Sequence, residues 1–192
     1  MPANSSIAQL ILLACGAASL VPASLAIKRL SDAPPHETVE SGDLGAIVAL
    51  RDGSTLVAQS GTPGREIVDW LASDAPEGRF ELGGRQFVGR LADPTIEARV
   101  RVPRLIAMLR ADSDVDVEIV GHSDRSGDAA ADRALSEERA TRLAQLLRAG
   151  GIARDRIHVE GLGGDEPIAD DATAEGRRRN GRVSLILSRR DR

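Results

Sequence analysis

The chain has 192 residues, with 25 Lys and Arg against 29 Asp and Glu and a formal net charge of −4. Acidic and basic residues alternate along most of it, which argues against general nucleic-acid binding because that function needs a basic face. Aromatic residues make up only 2% of the chain, so a core must be built from Leu, Ile, Val and Ala. Cys15 is the single cysteine, which excludes an intramolecular disulfide and a metal site with several cysteines from one chain. No motif predicts a cofactor or a metal.

Residues 1–27 are predicted to be a signal peptide or a membrane anchor. Residues 7–27 are mostly apolar or small, which is about the length that a helix needs to cross a bilayer. Three interpretations remain open: a cleaved signal peptide, an uncleaved anchor, and a lipoprotein in which Leu12–Cys15 resembles a lipobox and Cys15 carries the lipid. The segment before the apolar run lacks the Lys or Arg of a signal peptide, and Lys28 follows the run. All three interpretations predict export to the cell envelope.

A linker and a small lead-in unit are predicted next. Residues 28–42 are rich in Ser, Asp, Glu and Pro, as linkers are. Within residues 43–77, two apolar runs at residues 46–50 and 55–58 flank Asp52-Gly53, which favours a tight hairpin because glycine accepts positive φ. A short helix is predicted over Arg65–Ser73.

From residue 78 to the end, the pattern predicts β-α-β-α-β-loop-α-β, an α/β sandwich with helices packed on a small mixed sheet. Pro103 is expected to kink or restart the first helix of this part. The predicted elements are a strand over Phe80–Val88, a helix beginning at Asp93-Pro94, a strand through Val115, Val117 and Ile119, a helix over Ala130–Ala149, strands at Ile157–Val159 and Val183–Leu187, and a short Arg-rich helix before the last strand.

One arginine lies among leucines on the long helix. At 100° per residue, Arg139 falls within an arc of roughly 120° that also contains Leu135, Leu143, Leu146 and Leu147. A buried guanidinium is costly unless its head reaches an anion or water. Asp124, at the end of a predicted strand, is the expected neighbour. Together the two groups form a receptor for a zwitterion, in which the acid takes an ammonium and the arginine takes a carboxylate.

Several separated motifs then resemble one known family. Gly121-His122-Ser123-Asp124 followed by Leu135-Ser136-Glu137-Glu138-Arg139-Ala140 resembles the GHTD…LSxxRA motif of OmpA-like C-terminal domains. The segment 161–170 is similar to the family's GxGxxxPxAx loop, and the segment 173–183 to its TxEGRxxNRRV ending. The resemblance covers about residues 79–188, so residues 78–192 are predicted to be an OmpA-like domain.

The resemblance implies non-covalent binding of peptidoglycan through the diaminopimelate of its stem peptide. Asp124 and Arg139 match the residues that hold this group in the family. Ser123, in the Gly121–Gly127 loop, is expected to line the pocket, and Arg182 to contact the ligand or brace the site. The expected protein is therefore a tether between the cell wall and a membrane, with its folded part in the periplasm.

Four positions depart from the family's pattern. Asp132 and Asp171 replace Asn, Ala131 replaces an aromatic residue, and Gly181 replaces Arg. Asp132 adds a negative charge near the predicted pocket, which is expected to weaken carboxylate binding, although Asp still serves as a local hydrogen-bond acceptor.

Other functions compete with wall binding. Asp124 and Arg139 could form an ion pair that only stabilises the fold. The same fold could have lost its glycan ligand and act as a protein-interaction module of the envelope. A motor-stator wall anchor has a similar ending, but residues 7–27 lack the acidic residue of a proton-driven stator. Catalysis is not expected, because His122, Ser123 and Asp124 are not accompanied by a recognisable nucleophile, phosphate or metal motif.

Overall fold

The computed structural model describes residues 45–190 with the exception of Gly84. The predicted signal or anchor segment, Cys15 and the whole of the predicted linker at residues 28–42 lie outside the described residues. Within residues 45–190, no helix combines the length and the apolar character that crossing a bilayer requires.

The secondary structure follows the predicted order. The elements are β1 (Ala46–Ala49), β2 (Thr55–Ala58), α1 (Pro63–Ala72), β3 (Glu77–Glu81), α2 (Ile96–Ala111), β4 (Val115–Gly121), α3 (Ala129–Ala149), β5 (Ile157–Gly161), α4 (Ala174–Asn180) and β6 (Val183–Arg189). A single 3₁₀ turn, Arg154–Arg156, leads into β5.

The main sheet has four strands in the order β3-β6-β4-β5. β4 and β5 are parallel and are joined through α3, whereas β6 runs antiparallel to both β3 and β4. Val115, Val117 and Ile119 of β4 are fully buried, as their alternation with acidic residues predicts. The mixed sheet with packed helices confirms the predicted α/β class.

The strand predicted over Phe80–Val88 is shorter and begins earlier, at Glu77–Glu81. The chain leaves the sheet at Leu82, and beyond this point the side chain of Gln86, instead of a strand, bonds to the backbone of β6. Its side-chain oxygen accepts a hydrogen bond from the Val183 amide over 2.8 Å, so a side chain satisfies the backbone of β6 where β3 has ended. Residues 82–95 are thereby free to form a loop.

The helix expected at Asp93-Pro94 begins two residues later, at Ile96. Thr95 is its N-cap, because its hydroxyl accepts a hydrogen bond from the Ala98 amide over 3.2 Å. Pro103 does not restart the helix, since α2 continues through it to Ala111.

The buried face of α3 differs from the predicted leucine arc. Ala140, Ala144 and Leu147 are fully buried, whereas Leu135 and Leu143 are only half-buried. Small side chains face the sheet because the helix lies very close to β4. A Cβ atom at Gly121 would lie 1.9 Å from the Ser136 carbonyl oxygen, so only glycine fits at this crossing.

The hairpin and α1 belong to the same core as the sheet. The described residues from 45 to 190 fall within one compact unit, and Ile67, Val68, Trp70 and Leu71 of α1 join the buried cluster that contains Phe80 and Leu187. Trp70 meets Phe80 edge to face, with ring centroids 6.1 Å apart. α1 is therefore an integral layer of the fold.

Candidate functional site

The Gly121–Gly127 loop follows β4 and lies beside the loop that follows β5. The Leu162 amide donates to the Gly121 carbonyl over 3.0 Å, and the Ser123 amide donates to the Gly163 carbonyl over 2.8 Å. Because parallel neighbours end at the same edge of a sheet, both loops meet the first turns of α3. This placement brings the side chain of Asp124 to the same region as Arg139.

Arg139 is a buried cation held by neutral groups. Its residue is 1% exposed, and its guanidinium donates to the carbonyls of Leu91 (3.1 Å), Gly89 (3.0 Å) and His122 (3.3 Å). The guanidinium carbon also lies 4.7 Å from the centroid of the Phe87 ring. Within the described part of the chain, no carboxylate lies within 4.0 Å of the Arg139 guanidinium as an ion-pair partner.

The electrostatics of Arg139 reflect this burial. Loss of water lowers the pKa of Arg139 to about 10, and the negative charge of Asp124 partly opposes the shift. The side chain therefore remains protonated at neutral pH. A charged group that is nearly fully buried and bound only by carbonyls is stabilised further by an anion that reaches it.

Asp124 is paired with Arg90, which was not among the predicted site residues. Arg90 Nη1 donates to Asp124 Oδ1 over 2.7 Å, and Arg90 Nη2 donates to Asp132 Oδ1 over the same distance. The acid at position 132 is the feature of the sequence that could have predicted the contact with Arg90. Asp132 adds an acid where the family has Asn, and an acid that becomes buried needs a cation nearby.

Asp132 is more than a local hydrogen-bond acceptor. Its other oxygen, Oδ2, accepts from the Ser126 amide over 2.8 Å, which closes the Gly121–Gly127 loop. Burial raises the pKa of Asp132, but the bonds from Ser126 and Arg90 outweigh burial and hold the pKa below its usual value. Asp132 is thus charged at neutral pH and holds Arg90 beside Asp124.

The structure brings Asp124 and Arg139 to one site but does not leave that site open. Residues 89–91 contact both groups, Arg90 through its side chain and Gly89 and Leu91 through their carbonyls. The pocket predicted between the two charges is therefore occupied by the chain itself. A cavity of about 270 Å³ lies next to the site, lined in part by Arg125, Asp132, Arg133 and Gly163–Asp165.

Ser123 and Arg182 contact other parts of the protein. The Ser123 hydroxyl donates to the Asp132 carbonyl over 3.3 Å, at the start of α3. Arg182 Nε donates to Glu81 over 2.8 Å, and its Nη1 donates to the Glu166 carbonyl over 3.1 Å. Both side chains brace the loops of the site in the structure.

His122 is a buried member of a hydrogen-bond chain. The Ser184 hydroxyl donates to Glu81 over 2.6 Å, so it accepts from His122 Nε2, which lies 3.0 Å away. This pattern assigns the proton of the neutral ring to Nε2 and leaves Nδ1 as a buried acceptor without a partner. Burial, reinforced by the positive charge of Arg182, lowers the pKa of His122 to about 4.

Gly181, where the family has Arg, lies against Arg139. A Cβ atom at this position would lie 3.0 Å from Arg139 Nη1. No cluster of three or more His, Cys, Asp or Glu side chains that could hold a metal ion occurs in the described part of the chain.

Comparison with known proteins identifies the family of this region. Residues 90–181 match the model of the OmpA family. The outer-membrane lipoprotein YfiB of Pseudomonas aeruginosa is 41% identical over 81 residues, which are 42% of this chain and 48% of that protein. The peptidoglycan-binding protein ArfA of Mycobacterium tuberculosis is 40% identical over 85 residues, which are 44% of this chain and 26% of that protein. The chain thus spans about half or less of the length of these relatives.

Solved structures show the same fold. The cell wall anchor of the T6SS from Pseudomonas aeruginosa is 28% identical, with a TM-score of 0.53 over 66% of this chain and 96% of that one. The peptidoglycan-associated lipoprotein from Burkholderia pseudomallei is 19% identical, with a TM-score of 0.52 over 56% of this chain and 92% of that one. The chain therefore carries an OmpA-like domain, and its residues 90–181 belong to the OmpA family.

Proposed function

We propose that this protein binds peptidoglycan non-covalently through the diaminopimelate of the stem peptide. The observation that supports the proposal most directly is the buried guanidinium of Arg139, whose hydrogen bonds to the described residues go to neutral carbonyls alone. Asp124 lies at the same site and supplies the opposite charge. Arg139 takes the ligand's carboxylate and Asp124 takes its ammonium, so both charges of one amino-acid centre are matched.

The surroundings of the site fit a polymer that extends beyond a single amino acid. The cavity of about 270 Å³ beside Asp132 offers room for neighbouring parts of a stem peptide. Ser123, Asp132 and Arg182 hold the loops around the ligand. ArfA is named a peptidoglycan-binding protein, and the T6SS structure is that of a cell wall anchor, which supports the same ligand for this chain.

The wall contact serves a tether in the cell envelope. YfiB is an outer-membrane lipoprotein, which supports an envelope location for this chain. In the proposed arrangement residues 1–27 attach the protein to a membrane, by a spanning anchor or by a lipid on Cys15, and the folded part reaches the wall from the periplasm. The proposed activity is non-covalent binding of the ligand, with no catalysed reaction.

The test is retention on purified sacculi that contain diaminopimelate. Asp124→Asn keeps the shape of the side chain and removes its charge, and Arg139→Lys keeps the charge and removes the forked donor. Each change is expected to weaken retention roughly thirty-fold or more, because each leaves one charge of the ligand without its partner. Thermal unfolding of each variant establishes that the fold is intact.

Asp74→Asn and Arg148→Gln are matched controls, since both side chains are exposed and lie outside the site. They are expected to bind as the wild type does. Retention of Asp124→Asn and Arg139→Lys at the wild-type level would exclude this site as the wall contact. That result would favour the alternative function, a protein-interaction module of the same fold.

A further inference from the structure

The segment of residues 87–91, called here the covering segment, reproduces the charges of the proposed ligand. Arg90 places a cation on Asp124, where the ligand's ammonium is proposed to bind. The Gly89 and Leu91 carbonyls place two oxygens on Arg139, 3.0 and 3.1 Å from its nitrogens, where the ligand's carboxylate is proposed to bind. One short stretch of chain thus satisfies both halves of the receptor.

The anchoring of Arg90 depends on a departure from the family's pattern. Asp132, which stands where the family has Asn, supplies the second carboxylate that Arg90 binds. The guanidinium fork spans the two acids with one nitrogen on each, at 2.7 Å in both cases. The unexpected acid and the unexpected arginine therefore form one unit.

Apart from these polar contacts, the tip of the covering segment at residues 88–91 is attached weakly, whereas Phe87 at its start packs against the core. Val88 is 52% exposed and Leu91 is 54% exposed, so neither side chain fixes the tip of the segment in the core. The backbone turns sharply here, with φ of +55° at Gly89 and a hydrogen bond from the Leu91 amide to the Val88 carbonyl. Lifting residues 89–91 breaks the bonds to Asp124 and Arg139, which a zwitterionic ligand would replace, and the bond from Arg90 to Asp132, which it would not.

We propose that the covering segment is a built-in competitor that must leave the site before peptidoglycan binds. This inference rests on the proposed function, since it concerns the regulation of the same site. The ligand exchanges its ammonium for the Arg90 guanidinium and its carboxylate for the two carbonyls. The apparent affinity is reduced by the fraction of molecules in which the segment is closed.

Removing the competitor is expected to strengthen binding. Arg90→Ala should bind sacculi and free meso-diaminopimelate roughly three- to thirty-fold more tightly than the wild type, because the closed state loses both of its ion pairs. Arg90→Gln, which keeps the length of the side chain, should show the same direction. Arg148→Ala removes one exposed positive charge elsewhere and should leave affinity unchanged. Unfolding of every variant in urea confirms that the proteins compared are folded.

The rate of cleavage by trypsin is a second measurement. Added ligand should change this rate in opposite directions if Arg90 is displaced from the site and if Arg90 contacts the ligand directly. The enzyme cleaves after Arg90, and mass spectrometry identifies the fragment that ends there. Added meso-diaminopimelate should accelerate this cleavage in the wild type if the segment is displaced. It should protect the bond if Arg90 instead contacts the ligand directly.

The outcomes separate this inference from the proposed function. Equal or weaker binding by Arg90→Ala, with the wild type still retained on sacculi, would overturn the competitor role and leave wall binding in place. Protection of Arg90 from trypsin by the ligand would do the same. If neither the wild type nor Arg90→Ala is retained on sacculi, the proposed function itself fails.

Discussion

At the scale of single residues, the site depends on two buried charges, Arg139 and Asp124, that are not paired with each other. Arg139 is held by carbonyls and Asp124 by the guanidinium of Arg90, so the two do not form with each other the ion pair that a purely structural role would use. His122, in the same loop as Asp124, is also buried. Its Nε2 bonds to Ser184, and burial together with the positive charge of Arg182 keeps its ring neutral. Titration of His122 is therefore linked to folding.

The stability of the protein is expected to fall as the pH is lowered from about 7 to 4. The pKa of His122 is about 4 in the folded chain against 6.5 as the ordinary value, so the unfolded chain takes up a proton in this interval and the folded chain does not. The contribution is fully present above pH 6.5 and is lost progressively as the pH falls towards 4. Between pH 7.5 and pH 5 the free energy of unfolding should drop by about 2 kcal/mol, measured by urea titration.

His122→Gln is the control for this effect, because it keeps a donor for Ser184 but does not titrate. Its unfolding free energy should change much less than that of the wild type between pH 7.5 and pH 5. An equal slope in the two proteins would assign the pH dependence to other groups. The carboxylates with lowered pKa values, such as Glu81 and Asp132, act at lower pH and lose their contribution as they are protonated.

At the scale of secondary-structure elements, the close crossing of β4 and α3 positions the site. Gly121 lets the helix approach the end of the strand, and Ala140 and Ala144 let it lie flat on the sheet. The Ser136 hydroxyl, one turn before Ala140, accepts from the Gly163 amide over 2.8 Å and ties the loop after β5 to the same helix. The loop that carries Asp124 and the helix that carries Arg139 are thus fixed to each other by backbone contact.

Gly121→Ala is expected to destabilise the protein by about 3 kcal/mol or more, or to prevent folding. The added Cβ would lie 1.9 Å from the Ser136 carbonyl oxygen, which is backbone and cannot turn away. The matched control is Gly64→Ala in α1, where a Cβ meets only the Thr62 hydroxyl at 4.0 Å. Urea unfolding should show little loss, or a gain, for the control. A loss of less than about 1 kcal/mol in Gly121→Ala would show that the two elements can separate.

Much of the secondary structure could be predicted from the sequence. The alternation of Val115, Val117 and Ile119 with acids identified β4, and the run from 130 to 149 identified α3 to within one residue. The face of α3 was predicted less well, because leucines mark a helix as amphipathic but do not show where the sheet approaches. Small residues such as Ala140 decide that approach, and periodicity of large apolar residues does not detect them.

At the scale of the whole molecule, the lead-in unit and the OmpA-like region share one core. The predicted boundary between them lies at residue 77, but Trp70 packs on Phe80 and Arg189 of β6 reaches back to α1. Its guanidinium donates to the Leu71 carbonyl over 3.1 Å and lies 5.0 Å from the centre of the Trp70 ring. Residues on either side of position 77 are therefore packed against each other.

The two parts are expected to unfold together. Trp70 is the single tryptophan of the chain, so its fluorescence reports on α1, whereas far-UV circular dichroism reports on all helices and strands. In urea both signals should give one transition with the same midpoint, because α1 and the main sheet are stabilised by shared burial. A fluorescence transition at clearly lower urea than the dichroism transition would mean that the lead-in unit folds separately.

The sequence by itself determined the fold class and the order of the elements, and it predicted Asp124 and Arg139 as the charged pair of the site, since these follow from hydrophobic periodicity and from motifs of local spacing. Only the tertiary structure decided what those charges touch. Arg90 is 34 residues from Asp124 and 42 from Asp132, and its contacts arise because a loop after β3 crosses the ends of other strands. Contacts of this kind depend on the path of the chain in three dimensions, and no periodic pattern in the sequence records it.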